Sequence, residues 1–361
     1  MKLLLVVLTG LIGAVCTHSA GAADVMQETV YLRGTVVSQQ GDALAIVLPD
    51  GSQIVVPFSA ESALEPDAPS AGQSVVLQRF VRMDGSVEHI IMERYRLPWI
   101  GIFAGIFLLL AAVIGGKTGC RSVAGLALSI GILTALVLPA ILAGMPPLPV
   151  SVAGAALIAC TSIYIAHGIR RRTTLALIGM LITLAVAVVF AMLAVHAMQL
   201  FGTGSEEALF LQGSTLTVAQ LRGLLLGGIV IGTLGVLDDI TTAQTAAVEE
   251  ISRANPLLTF RELYRAGNSV GKEHIASLMN TLALAYAGAS LPLLLLFSID
   301  ADTPLWVILN TQFLAEEIAR TIVGSSALIL AVPISTFLAA RSFSRKPPAP
   351  DPHRVPSLHT H

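Results

Sequence analysis

Residues 223–250, GLLLGGIVIGTLGVLDDITTAQTAAVEE, place two adjacent carboxylates and a run of hydroxyls and amides beside or inside an apolar helix. Residues 271–292, GKEHIASLMNTLALAYAGASLP, repeat the theme with an Asn-Thr pair. A bilayer interior resists such groups, so their presence asks for a reason. The surrounding chain makes the bilayer setting plain. Of its 361 residues, 54% are hydrophobic and 12% charged, with a mean hydropathy of +0.78, against about 25% charged residues in soluble domains.

Seven apolar segments stand near the length a bilayer core requires: 98–115, 122–143, 149–167, 174–198, 218–237, 274–297 and 319–340. Together they form an all-α polytopic membrane domain over 98–340. The connections after the odd-numbered segments carry Lys117 and Arg121; Arg170, Arg171 and Arg172; Arg253, Arg261, Arg265 and Lys272; and Arg341, Arg345 and Lys346. The connections on the other side, 144–148, 199–217 and 298–318, have no Lys or Arg but hold Glu206, Glu207, Asp300 and Asp302. By the positive-inside rule the first set is cytoplasmic. Residues 303–318 read as an interfacial helix, a re-entrant piece or an extension of the last span. An eighth span there would put Arg341, Arg345 and Lys346 outside.

Outward from this domain, Lys2, the apolar run after it and the small residues Ala20-Gly21-Ala22 make 1–22 a secretory signal or an uncleaved anchor. Residues 28–96 alternate apolar and polar in about five strands, 29–38, 42–48, 52–58, 73–81 and 86–95. Asp50-Gly51 and Asp84-Gly85 give hairpin signals. This predicts a small extracytoplasmic β-barrel-like domain of OB or SH3 kind, either a packed cap or a module for an extracytoplasmic partner. It has no aromatic ladder and no basic face, which argues against nucleic acid. The Pro-rich stretch 346–361 reads as a disordered cytoplasmic tail. The three cysteines, Cys16, Cys120 and Cys160, make no disulfide framework, and neither a metal motif nor a bound cofactor is expected.

Within the polar stretches, Asp238, Thr242, Thr245 and Glu249 share one helical face. Asp238 or Asp239 could cap a new helix, or serve as a proton or cation site with Thr241, Thr242 and Gln244. Gly223/Gly227 and Gly228/Gly232 are small-xxx-small pairs, and Gly232 and Gly235 could break the helix. In the next span Ala276, Asn280, Ala283, Ala287 and Ser290 align, with Thr281 and Tyr286 nearby and Pro292 as a kink. Asn280 could also be plain helix–helix glue. Glu316 and Glu317 can both reach Arg320, as mutual neutralisation or as a gate. Arg222 is placed to snorkel to the headgroups. Asn255-Pro256 stops a helix and Thr259-Phe-Arg-Glu262 is a capping box whose short helix Gly267 would end. Gly267 to Glu273 is one residue short of a phosphate loop. With no nucleophile–base set in view, an enzyme is not expected.

The order of these motifs, from LGVLDDITTAQTAAVEEI through ANP and RELYRAGNSVGKEHIASLMNTLALAYAGASLPLLLLF to LNTQFLAEEIARTIVGSSALILAVPISTF, resembles the YibE/F-like family of bacterial integral membrane proteins. The resemblance implies a multi-pass protein of the bacterial inner membrane, and so speaks to localisation far more than to mechanism. Asp238, Asn280, Thr281, Tyr286, Pro292, Asn310, Glu316 and Glu317 match its pattern, while Thr311-Gln312 stands where a second acidic residue belongs. Two functions follow as expectations. One is a transporter, permease or channel-like component, passing a small solute or ion between spans five and six. The other is a non-transporting scaffold or sensor that uses the β domain.

Overall fold

The computed structural model describes residues 30–58, 68–81, 86–214, 216–292, 294–295 and 303–344. The expected signal segment, the Asp84-Gly85 turn and the tail lie outside these residues. Two units form, divided at Gly116, and each is described by itself.

In the first unit, alternation of apolar residues gives five antiparallel strands: β1 (Val30–Gln40), β2 (Ala43–Val47), β3 (Gln53–Pro57), β4 (Ser74–Val81) and β5 (Val87–Arg94). They lie in the order β3-β2-β1-β4-β5, and the two edge strands approach each other, so the sheet is a half-barrel. β1 serves both halves. Its first residues pair with β4 and its last with β2, and a register shift between Val36 and Ser38 allows the bend. A side chain on Gly34 would strike Ile46, so the bare glycine admits this curl. Val36, Leu44, Ile46, Val56, Val75 and Leu77 fill the interior. At the β2–β3 turn Gly51 takes φ +84°. The Asp50 carboxylate accepts from the Ser52 hydroxyl at 2.6 Å and from its N–H at 2.9 Å. These bonds hold that carboxyl below its usual range.

Helix α1 (Leu97–Ile132) breaks at Gly116, whose φ of 55° is outside the helical region. Before the break its apolar residues, Trp99, Phe103, Phe107 and Leu109 among them, are exposed. A helix apolar on all sides, with none of the described residues covering it, belongs in lipid.

In the second unit a π-helical turn (Leu133–Val137) leads into α2 (Leu138–Leu142). There follow α3 (Pro147–His167), α4 (Arg171–Ala197), α5 (Glu206–Ser214), α6 (Val218–Ala254), α7 (Phe260–Ala289), α8 (Leu305–Leu309) and α9 (Gln312–Phe343). α6 sits in the middle, packed against α3, α4, α7 and α9. Small residues make this closeness possible, because apolar burial alone gives no drive in lipid. Gly223 and Gly227 lie against Pro147 and Ser151 of α3, and Gly179 of α4 lies against Ser335 of α9. Leu234, Leu237 and Ile240 join Met180, Leu184, Ala331 and Val332 in the core.

Among the described residues five helical stretches are long and apolar enough to cross a membrane: Leu97–Leu142, Pro147–His167, Arg171–Ala197, Val218–Ala254 and Gln312–Phe343. The first has 46 residues and contains the Gly116 break, so it covers both of the first two expected segments. The expected sixth segment lies partly in α7 and partly outside the described residues.

Several local expectations need correction. α6 runs unbroken through Gly232, Gly235 and Asp238, so neither Asp238 nor Asp239 caps a new helix. Its start is held instead by a Thr217–Gln220 capping box. α7 does begin with the Thr259–Glu262 box, but it continues past Gly267 to Ala289. Gly267 and Gly271 are buried contact points: a Cβ on the first would strike Val248, and on the second Val332. No loop forms at 267–273 that could cradle a phosphate. α7 is interrupted at Ser290, two residues before Pro292, so the proline follows the break rather than bending the middle of the helix. The ambiguous 303–318 stretch becomes α8 and the first turns of α9. Arg222 donates to the Val195 carbonyl near the end of α4 at 3.4 Å, a helix-terminus contact.

Candidate functional site

One stripe of α6 has almost no side-chain bulk. Gly228, Gly232, Gly235, Asp239, Thr242 and Ala246 follow one another at steps of four and three, which is a single helical face. Polar groups from other helices rest on its bare part. The Arg320 Nη1 on α9 lies 3.2 Å from where a Cβ of Gly228 would stand, and the Tyr286 hydroxyl on α7 lies 3.4 Å from that of Gly232. A Cβ on Gly228 would crowd the Arg320 guanidinium, one on Gly232 would just touch the Tyr286 hydroxyl, and Gly235 faces open space.

A cavity lies at each end of this stripe. The first, at the end bearing Arg170–Arg172 and Arg253, has a volume of about 430 Å³. It is lined by His167 of α3, Arg172 and Thr173 of α4, Asp239 and Thr242 of α6, and His274 of α7. The second, of about 630 Å³, is lined by Ser205, Glu206, Glu207, Pro292, Glu316, Glu317 and Arg320, among others. Gly228 belongs to the second and Asp239 to the first, which puts them about 16 Å apart along the helix at about 1.5 Å per residue.

The sequence-predicted groups divide clearly. Asp239 and Thr242 line the first cavity. Asp238 is half-buried beside it, within electrostatic reach of His167. Its Oδ1 is shut away without a hydrogen-bond partner. The two threonines do not serve the carboxylates. Thr241 donates to the Leu237 carbonyl and Thr242 to that of Asp238, both at 2.8 Å, the back-bonding typical of helical hydroxyls. Gln244 is fully buried elsewhere. It donates to the Gly267 carbonyl at 2.8 Å and to the Thr336 hydroxyl at 2.7 Å, tying α6 to α7 and α9.

Glu316, also buried, turns from Arg320. Its carboxylate accepts from the Gly204 N–H at 3.1 Å and from the Gln312 amide at 3.0 Å. The Arg320 ion pair is with Glu317, at 3.3 Å. Asn280 and Thr281 are exposed on α7 and line neither cavity, and Thr281 donates to the Ser277 carbonyl at 3.0 Å.

Sequence reasoning missed His167, His274, Arg172 and Thr173, which come from three different helices: the end of α3, the start of α4 and the middle of α7. Only Arg172 carried a signal, as a loop charge. At the cavity rim it meets Glu249 at 3.4 Å, and Glu249 also pairs with Arg253 at 2.9 Å. Arg253 pairs with Glu250 as well, at 3.0 Å, so Arg172, Glu249, Arg253 and Glu250 form a cluster of four charges that joins α4 to α6. Among the described residues no three His, Cys, Asp or Glu side chains are placed to hold a metal ion.

A sequence profile of the YibE/F-like protein family matches residues 103–345, more than half of the chain. The chain belongs to the YibE/F-like family. Both cavities, the α6 stripe and all the polar groups placed above fall within the YibE/F-like match. The β strands lie before it. Comparison with curated proteins and with solved structures gave no match.

Proposed function

We propose that this chain is a transport component of the bacterial inner membrane, passing a small solute or ion along the thin face of α6. The observation that supports this reading is the continuity of that face. One helix carries a glycine-lined stripe, crossed only by the Arg320 and Tyr286 side chains, from a cavity with four carboxylates and an arginine to a cavity with an aspartate and two histidines. Polar cavities at the two ends of a membrane helix are what a gated path needs. On this reading seven spans cross the bilayer, the basic loops are cytoplasmic, and the OB/SH3-like domain is outside. Arg320, paired with Glu317 and seated on Gly228 beside Tyr286, closes the path at the outer cavity. Arg172 and Glu249 narrow it at the inner one. Asp238→Asn tests the idea in cells. Uptake or efflux should fall while protein level and gel-filtration profile stay normal.

A scaffold or sensor is the second reading, favoured by the exposure of Tyr31, Val55 and Val87 on the small sheet, which would suit an extracytoplasmic partner. Unchanged flux in Asp238→Asn, with loss of phenotype on deleting 28–96, would favour it.

A further inference from the structure

The first cavity brings together ionisable side chains from four helices that no motif connects: His167 from α3, Arg172 from α4, Asp239 from α6 and His274 from α7. Asp238 stands next to Asp239, with its buried Oδ1 unpartnered. α9, packed on another side of α6, adds no residue to the lining. The question is what such a chamber holds.

Three ligand classes can be compared. A metal ion would need three ligating side chains converging, and the described residues offer no such set. A small anion would face the Asp239 carboxylate, while the one permanent cation, Arg172, is already engaged by Glu249. A proton needs neither. It needs a carboxylate withdrawn from water, and imidazoles able to accept and release it near neutral pH. Asp238, half-buried with an unpartnered oxygen, is the carboxylate withdrawn from water, and the exposed Asp239 beside it adds a like charge, so a proton on Asp238 relieves the pair. His167, within electrostatic reach of Asp238, and His274, on the facing helix, then supply the exchange route to the basic end.

We propose that this inner cavity is a proton-binding site. Asp238 and Asp239 hold the proton, His167 and His274 exchange it with the cytoplasm, and the proton is the coupling ion of the transport proposed above. The inference rests on that transport reading of the same helix face. In the proton step the proton leaves a histidine nitrogen for an aspartate oxygen and no other bond changes, so the net charge of the chamber is conserved in the transfer.

The test uses the full chain reconstituted into liposomes on a solid-supported membrane, with a rapid pH step from about 7.5 to about 6.5, across the histidine titration range. The wild type should give a transient displacement current above that of protein-free liposomes. The double variant D238N/D239N should lose it, and D238E/D239E, which keeps the carboxyls, should retain it. H167Q/H274Q should slow the transient more than it lowers the charge moved. Matching gel-filtration profiles separate loss of the site from loss of the fold. Wild-type current no larger than that of empty liposomes, or undiminished current in the Asn variant, would overturn the assignment. A chain that moves solute in cells but shows no proton displacement fails this assignment alone. Displacement without any solute flux supports the site and removes the transport reading instead.

Discussion

α6 and α7 have the same kind of sequence, apolar helix with a few polar residues at helical spacing, yet the fold treats them in opposite ways. α6 is enclosed by four helices, and several of its polar side chains are buried, as Thr241, Gln244 and Thr245 are, or turned to a cavity, as Asp239 and Thr242 are. α7 is held along one narrow line through Leu263, Gly267 and Gly271, and most of its remaining length, Asn280 included, is exposed. Spacing identifies which residues share a face. It does not say which face meets a neighbour.

Substitutions that contrast the two faces test this difference. The largest effect is expected at Gly271. A Cβ there runs into Val332 and comes within 2.9 Å of the Gln244 Oε1, so Gly271→Ala should cost about 1–3 kcal/mol by overpacking. Gly288→Ala, on the same helix with nothing within 4 Å, should be neutral or gain helix propensity. Melting temperatures of the two variants in detergent, compared with wild type, would check both. Next comes Gln244→Ala, which removes the donor to Gly267 and Thr336. A loss of about 1–2 kcal/mol is expected, measured in the same way. Glu316→Gln belongs in this range. It keeps the shape but turns a charge-assisted acceptor for Gly204 into a neutral one, and limited proteolysis at 199–205 should quicken.

These expectations also show how much was legible beforehand. All five strands could be read, because alternation and the Asp50-Gly51 turn are local signals. So could the Asn255 stop, the Thr259 cap and the apolar helices, although five described stretches are long and apolar enough to cross a membrane where seven spans were expected. Asp239, Thr242 and Pro292, singled out in the sequence for their chemistry or as a kink, line cavities that the sequence alone does not reveal. The failures are non-local. The pairing of Glu316 with Gly204 joins residues more than a hundred positions apart, and its sequence-adjacent rival, Arg320, was the obvious partner. His167 and His274 were invisible for the same reason. Gly267 read as a helix end because glycine is a poor helix former, but close packing against Val248 outweighed that propensity.

A smaller effect is expected from acid. His89 on β5 is held below its ordinary value of 6.5, first by burial and then by Arg79 across the strand pair. The folded state therefore favours the neutral imidazole. Its contribution to stability is complete above about pH 6.5 and falls as pH drops toward the folded-state value. The Asp50 and Glu262 carboxyls are held below their ordinary range by hydrogen bonds from Ser52 and Thr259. They add stability above their unfolded values, and it is lost as pH falls further through the folded ones. Thermal unfolding of the full chain should therefore weaken monotonically from pH 7 to 4, and His89→Gln should flatten the upper part of that decline. The smallest effect is expected at Asn280. Asn280→Ala should change stability by no more than about 0.5 kcal/mol, and a larger loss would mean that this face of α7 is covered by something in the membrane.

The central claim is that water reaches both ends of the α6 stripe. Single cysteines at Thr242 and Ser290, placed in a chain lacking Cys16, Cys120 and Cys160, can be probed with a membrane-impermeant thiol reagent from each side. The account predicts that Thr242→Cys reacts only from the cytoplasmic side and Ser290→Cys only from outside. Protection of both positions from both sides would show a dry, closed helix bundle and contradict it.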